Sequence, residues 1–315
     1  MAEPPKISKH VLSRADRRAT QLHGDRGVTT TIRAACVIGW PVEHSRSPLI
    51  HNYWLKHYGI GGEYRREAVP PAAFAAFIGS LAARGYVGAN VTLPHKEAAL
   101  ALSQPDERAR AVGAANTLWL DAGVLRSTNT DVEGFLDNLD ACAPRWDRRP
   151  GKAVVLGAGG AARAVIYGLV TRSVEQIVLI NRTQGRAETL RQQFGARVQI
   201  VRWEELNVAA LGDAALLVNA TTLGMQGQPA LPVDLARLPG HAVVADLVYV
   251  PVRTPLVAAA QARALRTADG LGMLLYQAVG GFALWFGTTP TVTPELRALI
   301  EADLDPFAAK REPVT

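Results

Sequence analysis

Cysteine is scarce in this chain. The 315 residues hold two, Cys36 and Cys142. They lack CxxC spacing, which excludes a disulfide framework and reads as two buried or inert thiols in a reducing compartment. The seven histidines fall into no HExxH or Cys/His pattern, so no metal centre is expected. No apolar run approaches the roughly 20 residues of a membrane span, and the first 32 residues lack the apolar core of a secretory signal. That opening segment mixes charge, proline and threonine without periodicity and is read as a disordered extension. It carries half of the net charge of +6. The rest is mildly cationic, with no Lys/Arg stripe interleaved with aromatics. Neither nucleic acid nor a membrane is therefore an expected partner, while a small anionic ligand is favoured. The expected location is the cytoplasm.

Lysine is the second shortage. Only six of the 34 basic residues are lysines. Lysine can change its protonation state when buried or paired, and arginine cannot, so each retained lysine is a candidate for proton chemistry. Lys96 closes the run Asn90-Val91-Thr92-Leu93-Pro94-His95-Lys96. Taken alone, the run reads as a loop end with a surface lysine; a partner elsewhere in the chain is needed to make it more.

What is present is an ordinary globular composition, 48% hydrophobic and 20% charged, long enough for two domains. Ala34–Gly39 reads as a strand. Ser47-Pro48 opens a helix through Trp54 and Lys56, with Ser47 as its cap and Pro48 in the first position. A strand near Tyr64–Ala68, a helix from Pro71 to Arg84 and a strand over Gly88–Leu93 follow. This alternation predicts an α/β domain. Ala141–Gly151, with its prolines and arginines, looks like a connection. Beyond it come strands at Ala153–Leu156, Gln176–Ile180, Val198–Val201, Leu216–Asn219 and Ala242–Leu247. Gly270–Gly287 then shows helical apolar spacing.

The second unit opens on a dinucleotide pattern. A buried strand runs into Gly157-Ala158-Gly159-Gly160-Ala161-Ala162, a GxGxxA turn ahead of a helix. Glycines allow the tight turn and close approach of backbone to a pyrophosphate, and the helix N-terminus offers free N–H groups. About 20 residues on, an NAD site usually places an acid for the ribose hydroxyls. Here Asn181, Arg182, Thr183 and Arg186 stand instead. Guanidinium groups match a 2′-phosphate in charge and geometry, so the pattern favours NADP.

Four clusters remain: Ser45 with Ser47, the Gly113–Thr117 turn carrying Asn116, Asn129-Thr130-Asp131, and Gln277 in the last long helix. Singly, each has a plain role as cap, turn former or exposed helix residue. Together with the runs above they resemble the shikimate dehydrogenase family from about Cys36 to Gly287. The matching runs are Gly39-x-Pro41-x-x-His44-Ser45-x-Ser47-Pro48, Asn90-Val91-Thr92-x-Pro94-x-Lys96, Gly113-Ala114-x-Asn116-Thr117, Asn129-Thr130-Asp131, the Gly157 turn, Asn181-Arg182-Thr183, Asn219-Ala220-Thr221 and Asp269-Gly270-Leu271-Gly272-Met273-Leu274.

The resemblance implies an NADP-dependent oxidoreductase that reversibly reduces 3-dehydroshikimate to shikimate in chorismate and aromatic amino acid biosynthesis. It implies two domains. One is an α/β catalytic domain over 33–131 completed by a C-terminal helical segment over 270–310. The other is an inserted Rossmann-type NADP-binding domain over 132–269. Lys96 and Asp131 would form the proton-transfer pair. Ser45 and Ser47 would bind the substrate carboxylate, and Asn90, Thr92, Asn116, Asp131 and Gln277 its ring oxygens, with Tyr249 beside them. Residues 157–161, 181–183, Arg186, Thr221, Gly270 and Met273 would face the cofactor. The family follows Asn-Thr-Asp with Gly, where Val132 stands here, and has Tyr-Asn-Pro where this chain has Tyr249-Val250-Pro251. A homodimer is left open. The competing readings are an NAD-dependent quinate/shikimate dehydrogenase and a non-catalytic nucleotide-sensing homologue; the Lys96–Asp131 pair argues against the last.

Overall fold

Apolar alternation builds two six-stranded sheets. The computed structural model describes residues 33–304 except 149 and 150. The extension expected over 1–32 and the end of the 270–310 segment lie outside the described residues. The first sheet takes β1 (Arg33–Gly39), β2 (Gly62–Ala68), β3 (Tyr86–Val91), β4 (Gln104–Pro105), β5 (Thr117–Asp121) and β6 (Val124–Thr128), in the order β2-β1-β3-β5-β6-β4. β1 runs parallel to β2 and β3, and β5 antiparallel to β3 and β6. The period-2 alternation of a strand sends Ala34, Cys36 and Ile38 to one face, with Phe74 and Leu81. It sends Ala35 and Val37 to the other, with Trp54, Phe282 and Trp285. Helices α1 (Ser47–His57), α2 (Phe74–Gly79), α3 (Lys96–Ala101) and α4 (Glu107–Val112) fill the connections.

The second sheet is parallel throughout. Its strands are β7 (Lys152–Leu156), β8 (Ile177–Ile180), β9 (Val198–Val201), β10 (Ala214–Asn219), β11 (Val243–Asp246) and β12 (Arg266–Ala268), ordered β12-β11-β10-β7-β8-β9. That is the doubly wound dinucleotide order, whose direction reverses between β7 and β10; ligands bind in the crevice at such a reversal. The helices of the remaining chain are α5 (Asp131–Cys142), α6 (Gly160–Thr171), α7 (Gln184–Phe194), α8 (Pro255–Ala262), α9 (Gly270–Phe286) and α10 (Pro294–Leu304). No helix among the described residues is long and apolar enough to cross a membrane.

Two helices belong to both layers. α5 places Phe135 and Leu139 in the core against Val155 and Ile166 of the second sheet unit. α9 places Phe282 and Trp285 on the first sheet. They touch at backbone distance, for a Cβ on Gly134 would lie 2.6 Å from Gln277 Cβ. Val132 is buried in a small apolar cluster with Val112, Ala114 and Ala164. The stretch Ala141–Gly151 is partly anchored: Trp146 is buried in the same core as Phe135, and its Nε1 donates to Asp140 at 2.9 Å.

Four expectations need correction. The helix expected over Pro71–Arg84 is a 3-10 turn at Pro71–Ala73 followed by α2, which stops at Gly79. Ser80 Oγ donates to the carbonyls of Ala76 and Phe77 at 3.0 Å each, competing with further helix. Strands β4, β5, β6 and β12 add to those the pattern predicts; β12 has three residues and is fixed by pairing with β11, and β5 by pairing with β3 and β6. Ser47 is inside α1, whose cap position is Arg46 without a side-chain cap bond. Cys36 is buried, but Cys142 is exposed.

Candidate active site

Lys96 is the first residue of α3, separated from the end of β3 at Val91 by the turn Thr92-Leu93-Pro94-His95. The residue before it is locked: His95 is buried, stacks on Phe74 at 4.3 Å and places Nε2 2.7 Å from the Val69 carbonyl. A cation at a helix N-terminus is unfavourable unless an anion meets it. Here Lys96 Nζ donates to Asp131 Oδ2 at 2.6 Å, with the two side chains 19% and 12% exposed. Asp131 is not a cap but the first residue of the 12-residue α5, where the helix dipole favours a carboxylate. Its other oxygen, Oδ1, accepts from Asn116 Nδ2 at 2.8 Å. Asn129 Oδ1 accepts from the Asp131 N–H at 3.1 Å, and Asn129 Nδ2 donates to Ala114 O at 2.9 Å. The turn motifs thus fold onto one another around a single ion pair.

That pair sits in a cavity of about 350 Å³. Ser45, Ser47, Asn90, Thr92, Asn116, Tyr249 and Gln277 line it together with Lys96 and Asp131. The two serine hydroxyls lie 3.3 Å apart, and Ser45 Oγ also accepts from the Ser47 N–H at 3.3 Å. Arg66 clamps this loop by donating from Nε and Nη2 to Ser45 O at 3.0 and 2.8 Å. Arg46 bonds His44 O and Asp303, both at 2.6 Å. Gln277 is buried rather than an exposed helix residue, and its Nε2 donates to Leu274 O at 3.0 Å. Burial pushes the Tyr249 phenol above its ordinary range, with the Arg46 charge opposing. Beneath the floor, Tyr64 donates to Asn90 Oδ1 at 2.6 Å and stacks on His51 at 4.1 Å.

Ala161 of α6, Gly270 and Met273 of α9, and Leu247 just after β11 reach the same cavity. A Cβ on Gly270 would collide with the Leu247 carbonyl. The other cofactor-side residues lie outside this cavity, at the C-terminal ends of β7, β8 and β10. Gly157 has φ +102°, and a Cβ there would lie 2.7 Å from Ala220 O, so the turn needs glycine. Ala158 follows it. Gly159 and Gly160 face open space, and α6 starts at Gly160 with no side-chain cap and no acid in its first turn. A pyrophosphate fits such an N-terminus. Asn181 Nδ2 donates to Thr183 O at 2.7 Å, which shapes the turn before α7. Arg182 and Arg186 are exposed there and make no side-chain hydrogen bond or ion pair among the described residues.

The structure also brings in residues that the sequence reading left unassigned. Asp246 is buried; it accepts from Asn219 Nδ2 at 2.9 Å and from Thr254 Oγ1 at 2.6 Å. Burial raises its carboxyl above the usual range, and these donors oppose the rise. Asn219 Oδ1 in turn accepts from Thr221 Oγ1 at 2.7 Å, so the Thr221 hydroxyl is engaged in holding its own turn. Thr117, Tyr64, Arg66 and Asp246 are ordinary residues in sequence. Only the pairing across strands gives them away.

Three family matches span the chain. Residues 37–118 match the shikimate dehydrogenase substrate binding domain, 146–224 the shikimate/quinate 5-dehydrogenase family, and 270–294 the shikimate 5'-dehydrogenase C-terminal domain. A shikimate dehydrogenase (NADP(+)) of Rhodopseudomonas palustris (strain TIE-1) is 64% identical over 279 residues, covering 89% of this chain and 100% of that relative. The Thermus thermophilus shikimate 5-dehydrogenase in complex with NADP(H) and shikimate superposes with TM-score 0.74 at 36% identity, covering 87% of this chain and 98% of that one. The Corynebacterium glutamicum quinate dehydrogenase in complex with NAD gives TM-score 0.78 at 31% identity, covering 85% and 98%. Site geometry, sheet order and these likenesses agree that the chain belongs to the shikimate dehydrogenase family.

Proposed function

We propose that this protein catalyses the reversible NADPH-dependent reduction of 3-dehydroshikimate to shikimate, a step of chorismate and aromatic amino acid biosynthesis. The observation that carries the reading is the Lys96–Asp131 pair at 2.6 Å inside a cavity that Gly270, Met273 and Ala161 also wall. A small polyol acid has many polar atoms and little apolar area, and the cavity offers neutral hydroxyls and amides to match. Ser45 and Ser47 hold the carboxylate. Asn90, Thr92, Asn116, Asp131 and Gln277 bind the ring oxygens, and Tyr249 closes one side. We assign residues 33–131 and the helices from 270 onward to the substrate side, and 132–269 to the nucleotide side.

The nicotinamide, when bound, supplies the hydride. Lys96 donates a proton to the carbonyl oxygen as negative charge grows on it, a general-acid role. Asp131 holds the ammonium in place and aims it. In the oxidising direction the freed amine takes the hydroxyl proton. Arg182 and Arg186 bind the 2′-phosphate, with Asn181 and Thr183 shaping their turn, and the 157–161 turn and Thr221 flank the dinucleotide. The cavity walls come from one chain, so a homodimer is compatible with this reading without being required by it. The reading places the enzyme in the cytoplasm.

The test is nicotinamide absorbance with shikimate or quinate and NADP or NAD, in all four combinations. Turnover is expected to be fastest with shikimate and NADP. No turnover in any combination sinks the enzymatic reading; preference for quinate with NAD moves the protein to the catabolic alternative.

A further inference from the structure

We infer that Thr117 is a positioning residue, whose hydroxyl joins the substrate-side amide of Asn90 to the amide that holds the Asp131–Lys96 pair. The inference rests on the roles proposed for those two residues.

Strand register sets the arrangement. Asn90 on β3 is the direct partner of Thr117 on β5, and Thr117 the direct partner of Thr128 on β6. Thr117 is 0% exposed. Its Oγ1 accepts from Asn90 Nδ2 at 3.1 Å and lies 3.0 Å from both Asn116 Oδ1 and Thr130 Oγ1. Asn116 Oδ1 also receives the Thr130 backbone N–H at 2.7 Å. A backbone N–H only donates, so the oxygen of the Asn116 amide must face Thr130 and Thr117. Its Nδ2 is then left to donate to Asp131. The Thr130 hydroxyl can also donate to Asn116 Oδ1, at 3.2 Å; we orient the Thr117 proton to the same oxygen at 3.0 Å, and the Thr117 lone pairs take the Asn90 N–H. Asn90 is thereby turned with Oδ1 towards the Tyr64 hydroxyl.

The result is one directed chain. Tyr64 donates to Asn90, Asn90 to Thr117, Thr117 to Asn116, and Asn116 to Asp131, which receives Lys96 on its other oxygen. Thr117 is the only side chain in it that touches both amides, and it does not line the cavity. A methyl in place of its hydroxyl leaves Asn90 Nδ2 with only a 3.3 Å bond to Asn116 O. It also deprives Asn116 Oδ1 of one donor. Asn116 Oδ1 keeps the Thr130 N–H at 2.7 Å and the Thr130 hydroxyl at 3.2 Å, and Asn90 keeps Tyr64. Both amides therefore stay in place but are held less firmly, and any shift of Asn116 passes to the carboxylate and ammonium. A displacement near 1 Å at a reacting group costs on the order of 10²-fold in rate.

The test compares Thr117→Val and Thr117→Ser in the full chain. Thr117→Val is expected to lower kcat for shikimate oxidation by about 10- to 100-fold while leaving KM for NADP within about twofold. Thr117→Ser restores the hydroxyl and is expected to recover kcat to within about threefold of the parent. If Thr117→Val does not fold, Thr117→Cys, with a poorer donor of similar size, takes its place with the same direction of effect. Proton exchange of the Asn116 side-chain amide, read by NMR without substrate, is expected to be slow in the parent and the Ser variant and fast in the Val or Cys variant. A Val variant with parental kcat overturns the inference. So does a Ser variant as impaired as Val, because the methyl rather than the hydroxyl would then matter. Unchanged amide exchange in the Val variant also overturns it. Because amide exchange needs no turnover, an inactive parent would defeat the proposed function while leaving this inference decided.

Discussion

The cavity and the turns outside it, to which the proposed function assigns substrate and nucleotide, are prepared in opposite ways. On the substrate side, Asn90, Asn116, Asp131 and Lys96 all have hydrogen-bond partners within the chain. On the nucleotide side, Arg182 and Arg186 have none among the described residues, and Gly159 and Gly160 border open space. The difference follows from what each side must do. A reacting group has to be aimed before the substrate arrives, because misplacement costs rate. A phosphate brings its own charge and oxygen acceptors, so exposed guanidinium groups and free helix N–H groups can wait for it.

Breaking the prepared side should have the largest effect. Lys96→Ala is expected to lower kcat by about 10²-fold or more, as for lost general-acid catalysis, with KM for shikimate little changed. An unimpaired steady-state rate would remove Lys96 from the chemistry.

A second expectation concerns the dryness of the same side. His51 is fully buried among Tyr64, Trp54, Phe282 and Trp285, and neither ring nitrogen makes a hydrogen bond. Burial pushes it from 6.5 down to about 3, and the neighbouring Asn90 opposes this only in part. The folded protein therefore keeps His51 neutral where the unfolded chain protonates it. Stability is full above about pH 6.5 and falls as pH drops towards 3, by about 1.4 kcal/mol per unit, or roughly 2–3 kcal/mol by pH 4.5. Urea unfolding of the parent and of His51→Phe, each at pH 7 and 4.5, checks this. The parent should lose more by that amount, and parallel losses would refute it.

The smallest expected effect lies on the open side. Arg182→Ala should weaken NADP about tenfold, the scale of one exposed charge-assisted bond, and leave NAD within about twofold. Fluorescence titration of the bound reduced cofactors measures both. Equal weakening of the two would remove Arg182 from phosphate recognition.

Legibility in the sequence divides along similar lines. The Gly157 turn was readable because φ +102° and the nearby Ala220 carbonyl admit only glycine. α9 was readable from its apolar spacing; the scarcity of lysine marked Lys96 only as a candidate, and the family resemblance supplied Asp131 as its partner. Residues whose role depends on a neighbour across strands were not. Thr117 looks like any strand threonine until Asn90 is seen opposite. Ser47-Pro48 imitates a helix start so well that the pattern predicts a cap. Yet Arg46 takes that position, and the hydroxyl turns to Ser45 instead. β12 carries too few apolar residues to announce itself. α2 ends where Ser80 captures two carbonyls, a local competition that hydrophobic periodicity does not register.

The position of α9 has a consequence for synthesis on the ribosome. One face of the first sheet is covered by Leu271, Leu275, Phe282, Trp285 and Phe286, and Trp285 Nε1 is bonded to Leu118 O at 2.8 Å. Strands β1 to β6 are translated early, but the helix that covers them is made only after the whole second sheet. Throughout that interval the nascent first sheet has an apolar face covered only in part, by Ile50, Trp54 and Leu55 of α1, the kind of surface that makes growing chains prone to aggregate. The placement of β7 to β12 between β6 and α9 along the chain thus also sets a delay between making the first half of the protein and finishing it.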